Sequence, residues 1–181
     1  MKHLAMLALP LFAVAAPASA GVDAMAIIEI PAGGDIKYER DAEGRIFVDR
    51  FLPLPVVYPV NYGGIPVTRA GDGDELDILV HTRAPIMPGA RIQVRVIGVL
   101  RMTDAGEADD KIIAVPASSV DPTYDSVRSI TDLPETERAR ITNFFRLYKQ
   151  APDGRSPVVL SGFGDADEAA AIVNEAIASA R

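Results

Sequence analysis

The chain has 181 residues, with 25 acidic and 18 basic side chains, two histidines and no cysteine, for a net charge of -7. That length fits one domain of ordinary size, and without a thiolate, disulfide scaffolds, zinc ribbons, iron–sulfur clusters and cysteine nucleophiles are excluded. The acidic balance argues against general nucleic-acid binding, whose sequence-independent affinity comes from Lys and Arg on phosphates, and 14 Gly with 14 Pro point to a turn-rich β framework.

In chain order, Met1-Lys2-His3 is a short basic start, Leu4 to Ala16 is an apolar run, and Ala18-Ser19-Ala20 is an A-x-A site. This pattern predicts a cleaved export signal over residues 1–20 and a single domain over 21–181. A membrane anchor fits less well, because crossing a bilayer takes roughly 20 apolar residues and this run is shorter and interrupted by proline. Removing the segment leaves His81 as the only histidine. A multi-histidine zinc site is then excluded, and a Ser/His/Asp triad would rest on His81 alone.

Strands are expected at Ala26 to Pro31, Ile36 to Arg40 and Arg45 to Phe51, the last two joined by the turn-forming Asp41-Ala42-Glu43-Gly44. Leu76 to Val80 is an apolar β-rich run. Arg91 to Thr103 alternates through Ile92, Val94 and Val96, with Lys111 to Val115 as its hairpin partner. The period then changes. Asp132-Leu133-Pro134-Glu135 has capping-box spacing, and Ile141, Phe144, Phe145 and Tyr148 share one helical face. A second helix opens at Asp165, with Glu168 three residues on, and carries Ala169, Ile172, Val173, Ala176 and Ile177 along one stripe. Strands first and helices last imply a mainly β fold with α: a small antiparallel barrel with two helices packed outside.

The chemistry gathers in acids. Asp72-Gly73-Asp74-Glu75-Leu76-Asp77 enters a strand, and a second acidic loop runs from Asp104 to Asp110. Oxygen-only ligands of this kind suit magnesium, manganese or calcium rather than zinc. An EF-hand is excluded, because its sixth and twelfth positions would be Asp77 and Arg83 instead of Gly and Glu. The cations able to face these loops are Lys37, Arg50, Lys111 and Lys149. With metal ions they would form a pocket for a compact anionic phosphate ligand. Tyr58 and Tyr62 flank Pro59-Val60-Asn61, as packing for a barrel end or as hydrogen-bond donors to substrate.

Ile28-Glu29-Ile30-Pro31, Ile36-Lys37-Tyr38-Glu39, Phe47-Val48-Asp49-Arg50-Phe51, Tyr58-Pro59-Val60-Asn61-Tyr62-Gly63, Asp72-Gly73-Asp74-Glu75-Leu76-Asp77, Gly98 through Asp104, Asp109-Asp110-Lys111 and Phe144 through Lys149 stand in the order found in soluble family I inorganic pyrophosphatases. The sequence resembles that family over about residues 27 to 180, and the D-G-D-E-x-D block closely fits its signature. The resemblance implies an OB-like five-stranded barrel and hydrolysis of pyrophosphate with several magnesium ions, manganese being a substitute. It implies Asp72, Asp77, Asp104 and Asp109 as metal ligands, and Asp74 as the base that takes a proton from the attacking water. Lys37, Arg50, Tyr62, Lys111, Tyr148 and Lys149 would contact the substrate phosphates, with Glu29 and Glu39 as outer acidic support. It also implies a homo-oligomer, bacterial members commonly being hexamers.

Two departures stand out. Ala105 follows Asp104 where the family often carries an acid, and the export signal replaces the segment that usually precedes the first strand. Export implies a periplasmic or secreted enzyme; a start near Met25 would imply a cytoplasmic one. Two competing classes remain. An oligonucleotide-binding barrel conflicts with the acidic loops, and a non-catalytic metal or phosphate carrier would have no need of Asp74, Lys37 and Tyr148 in register.

Overall fold

The computed structural model describes residues 21–150 and 153–181, so the expected export signal lies outside the described residues. Ala26, Ile28 and Ile30 alternate along the first strand, β1 (Asp23–Ile30), and each is fully buried, which fixes one face of the strand on the core. The other strands are β2 (Ile36–Arg40), β3 (Ile46–Phe51), β4 (Asn61–Ile65), β5 (Leu76–Val80), β6 (Arg91–Asp104), β7 (Glu107–Ala108), β8 (Lys111–Pro116) and β9 (Val158–Gly164). Two helices, α1 (Glu135–Leu147) and α2 (Ala166–Ser179), complete the chain.

Five strands close into a barrel in the order β1-β4-β5-β8-β6, and β6 returns to pair with the first half of β1. The expected barrel and its two helices are both present. One seam departs from the antiparallel expectation: β5 and β8 run parallel, with Ile78 opposite Ile112 and Val80 opposite Ala114. Parallel strands are stable when both faces are covered, and the cores on either side supply that cover. Ile78, Val80, Ile112 and Ala114 pack with Val173 and Ala176 of α2, whereas Leu79, Ile113 and Val115 pack with Ile141, Phe144 and Phe145 of α1.

Three strands were not legible, among them the two-residue β7 inside the acidic loop. β4 reads Asn-Tyr-Gly-Gly-Ile, which looks like a turn, yet a Cβ at Gly63 would overlap the Ile27 carbonyl, so glycine is what lets β4 lie against β1. β9 lies beyond a Gly/Pro-rich loop and pairs with the second half of β6.

β2 and β3 form a separate two-stranded sheet. Their register slips between Lys37, opposite Arg50, and Tyr38, opposite Val48, so Asp49 is an extra residue bulged between them. The capping box also moves. It is formed by Ser129 and Asp132 around a 3₁₀ turn at Ile130–Asp132, and α1 starts after Pro134 with no side-chain cap. Pro134 and the extended Leu133 end that turn, leaving Asp132 one turn too early to cap the helix. At α2 the cap is as expected: the Asp165 carboxylate accepts from the Glu168 amide at 2.9 Å. Glu168 itself is drawn away to Arg101, whose Nε donates to it at 2.6 Å.

Helix α1 matters to function because it delivers Tyr148 and Lys149 from its C-terminal end. Ile141, which is fully buried, anchors it. Ile141→Ala is expected to lower the unfolding free energy by about 2–5 kcal/mol, as for other buried large-to-small changes, read by urea titration. A loss below about 0.5 kcal/mol, the usual range of surface substitutions, would mean that the helix is not docked through this residue.

Candidate active site

The strand ends and loops on one side of the barrel enclose a cavity of about 690 Å³. Twelve of the thirteen residues singled out in the sequence line it: Glu29, Lys37, Glu39, Tyr62, Asp72, Asp74, Asp77, Asp104, Asp109, Lys111, Tyr148 and Lys149. The thirteenth, Arg50, does not. It is half exposed, its Nη1 donates to Asp49 at 2.7 Å, and it stands opposite Lys37 on the hairpin at the cavity's margin.

The β2–β3 hairpin supplies Lys37, which pairs with Glu39 and lies 3.4 Å from Asp49. Burial, with the nearby Arg50 charge, holds its ammonium below the usual lysine range. The loop before β5 supplies Asp72 and Asp74, and β5 itself supplies Asp77. The Asp72 carboxylate accepts from the Asp74 amide at 3.0 Å, and the Ala70 amide donates to the Asp74 carbonyl at 2.8 Å, so the tight turn is fixed by its own polar groups. Below it, the buried Thr68 hydroxyl donates to the Ile65 carbonyl and accepts from the Leu76 amide at 2.9 Å, which ties the loop's two ends together. Asp74 is exposed, and among the described residues its carboxylate forms no ion pair.

Lys111, at the start of β8, is almost fully buried with its ammonium between Asp77 and Asp109. Burial alone would depress its pKa, but attraction to the two carboxylates outweighs it, and the pKa lies above the ordinary value. Burial pushes the Asp109 carboxyl up in spite of Lys111. Lys149 pairs with Asp104 and sits 5.3 Å from the centroid of the Tyr148 ring. Tyr58, Tyr62, Phe144 and Tyr148 form one aromatic wall, with centroids 4.5 Å apart for Tyr58 and Phe144 and 5.6 Å for Tyr58 and Tyr62. Burial raises the phenols of Tyr58, Tyr62 and Tyr148 well above 10, so each remains a hydrogen-bond donor at ordinary pH.

Sequence reasoning gave no role to Arg40 or Glu75, which also line the cavity and pair with each other. Arg40 was legible as the last residue of a strand already carrying Lys37, and Glu75 as the acid inside the D-G-D-E-L-D block. Ala105 lines the cavity too, in a left-handed conformation with φ of 51° at the turn between β6 and β7. His81 is outside the lining, edge-on to Tyr124 and 3.6 Å from Glu137.

Ten carboxylates and four cationic side chains line this one cavity. The donors are all hard oxygens, which fits divalent cations such as magnesium or manganese. Among the described residues, no three of the acids converge into a ready-made cation cage; Lys111 and Lys149 stand between them.

A family model described as inorganic pyrophosphatase matches residues 26–181. The chain belongs to the inorganic pyrophosphatase family. It is 48% identical over 157 residues to the inorganic pyrophosphatase of Caulobacter vibrioides, covering 86% of this chain and 88% of that protein. It is 46% identical over 149 residues to that of Vibrio vulnificus, covering 81% and 84%. The solved structure of an inorganic pyrophosphatase from Coxiella burnetii superposes with a TM-score of 0.83 at 38% identity, covering 90% of this chain and 99% of that one. The enzyme accordingly hydrolyses inorganic pyrophosphate.

Burial pushes Glu29 from its ordinary 4.5 up to about 7, against the pull of Arg40. A carboxyl that holds its proton more tightly folded than unfolded gives stability that is complete below about pH 4.5 and lost as pH rises through about 7. The metal-free enzyme should lose up to about 3 kcal/mol from this group over that window, and Glu29→Gln should flatten the decline. Urea unfolding between pH 4 and 8 in chelator reads it; identical slopes in the two proteins would contradict it.

Proposed function

We propose that the enzyme hydrolyses pyrophosphate by general-base attack of water, with Asp74 as the base. The observation that carries this reading is the contrast among the acids: Asp77, Asp104 and Asp109 are engaged by lysine ammonium groups and the Asp72 carboxylate accepts from the Asp74 amide, whereas the Asp74 carboxylate opens to the cavity with neither an ion pair nor a hydrogen bond among the described residues. Asp74 takes one proton from the attacking water as its oxygen bonds to phosphorus. The bridging P–O bond breaks in line, and two phosphates leave. Magnesium ions held by Asp72, Asp77, Asp104 and Asp109, with manganese as a substitute, supply neutralisation of the phosphates and a more acidic water.

Lys37, Lys111 and Lys149 hold phosphate oxygens as point charges, and the protonated Tyr62 and Tyr148 donate to them. Glu29, mostly buried beside Arg40, and the more exposed Glu39, paired with Lys37, are the outer acidic support. Arg50 joins the site by exchanging Asp49 for a phosphate, which its guanidinium can grip with two parallel N–H donors. A non-catalytic carrier of metal or phosphate is not favoured, because carriage needs no unpaired carboxylate beside the cation ligands.

The same reading covers assembly and location. We infer a homo-oligomer from the resemblance to bacterial members of the family, commonly hexamers, and the basic start, apolar run and Ala18-Ser19-Ala20 point to the periplasm or outside the cell, with Gly21 as the mature N-terminus. Recovery of a native chain beginning at Met1 or Met25 would refute export.

Asp74→Asn should leave the fold and cation binding in place while turnover falls about 10²- to 10⁴-fold, the usual range for a lost general base. Near-normal phosphate release from that variant would refute the assignment. Arg50→Lys, which keeps the charge and loses the fork, should also lower activity. Unchanged steady-state kinetics would leave Arg50 as a surface charge.

A further inference from the structure

The β2–β3 hairpin carries Lys37 but belongs to no barrel sheet. Among the described residues, the ion pairs of Lys37, Arg45 and Arg50 stay within the hairpin. Arg40 alone reaches out. Its Nη2 pairs with Glu75, and its Nε, buried without a hydrogen-bond partner, faces Glu29 at 3.5 Å. Glu75 stands in the chain between Asp74 and Asp77, so the contact joins the hairpin to the loop that bears the base. The pair crosses the barrel over Gly64, where a Cβ would come within 2.9 Å of Glu75 Oε2 and 3.7 Å of Arg40 Nη2.

We propose that Arg40 is a positioning residue for pyrophosphate hydrolysis: its ion pair with Glu75 sets the hairpin, and with it Lys37, at one fixed separation from Asp74. This rests on the reading of Lys37 as a phosphate contact and Asp74 as the base. Two physical arguments separate positioning from mere stability. A partly exposed ion pair contributes little to folding, and the hairpin is already seated through Tyr38, which packs on the core under α1. Turnover is far more sensitive, because small misplacement of reacting groups lowers it by one or two orders of magnitude. The guanidinium also meets Glu75 through a single nitrogen, so a lysine can replace much of the contact.

A double-mutant cycle tests this with Arg40→Gln, Glu75→Gln and both together, measuring kcat and KM for pyrophosphate at saturating magnesium. Hydrogen exchange of the hairpin amides and thermal unfolding are measured on the same proteins. Each single variant is expected to lose kcat by on the order of tenfold or more, with KM changed less, faster hairpin exchange and a nearly unaltered melting temperature. The double variant should lose no more than either single one, and Arg40→Lys should keep most of kcat. Wild-type kcat in Arg40→Gln, losses that multiply in the double variant, or unchanged hairpin exchange would overturn the proposal. Hairpin exchange is read without turnover, so an active Asp74→Asn would refute the base assignment and leave this result interpretable.

Discussion

The ammonium of Lys111 is almost wholly removed from water, and a charge in that position is tolerated only because Asp77 and Asp109 both face it. Removing Lys111 would leave two partly buried carboxylates facing each other with no cation between them, so the site and the barrel wall are one construction. The parallel seam between β5 and β8 is what brings the three together. With Ile78 opposite Ile112, the residues just before them, Asp77 and Lys111, fall side by side at the same end of the barrel. Reversing one of those strands would send Asp77 and Lys111 to opposite ends.

From that centre the charge pattern spreads outward. Lys149 holds Asp104, Arg40 holds Glu75, and Lys37 holds Glu39, each joining residues that the chain brings from different elements or across one strand face. The pairings leave carboxylates in excess, and at Glu29 and Asp109 burial raises the pKa, with the charge of Asp77 adding to it. The all-oxygen lining suits hard divalent cations, and cations bound there would offset the acids that otherwise repel a compact polyanion. The aromatic wall of Tyr58, Tyr62, Phe144 and Tyr148 gives it a rigid side and places protonated phenols beside the charges. Helix α1 fixes that wall by burying Ile141, Phe144 and Phe145 against the barrel.

Much of this was legible in the residues. Strict alternation exposed β6, and the runs Leu76 to Val80 and Lys111 to Val115 showed β5 and β8, because strands buried on both faces are continuously apolar. The acids at Asp72, Asp74, Asp77, Asp104 and Asp109 declared themselves by close spacing in loops and at the adjoining strand ends. β4 was hidden because the glycines that permit its close approach to β1 are the residues that ordinarily mark turns. The parallel seam was hidden because direction is set by connections, not by side-chain periodicity. Arg40 went unassigned because its partners, Glu29 and Glu75, are distant in sequence and meet it only across the folded barrel. The bulge at Asp49 likewise depends on strand register, and it accounts for Arg50 resting on its neighbour at the margin of the cavity.

In the proposed mechanism this acid-rich cavity works on phosphate through bound divalent cations and the unpaired Asp74 carboxylate. The most direct measurement is phosphate release from pyrophosphate by the chelator-treated enzyme, followed as magnesium is restored. No release above the uncatalysed rate is expected in chelator, with full recovery on adding magnesium. Undiminished release in the presence of excess chelator would contradict it.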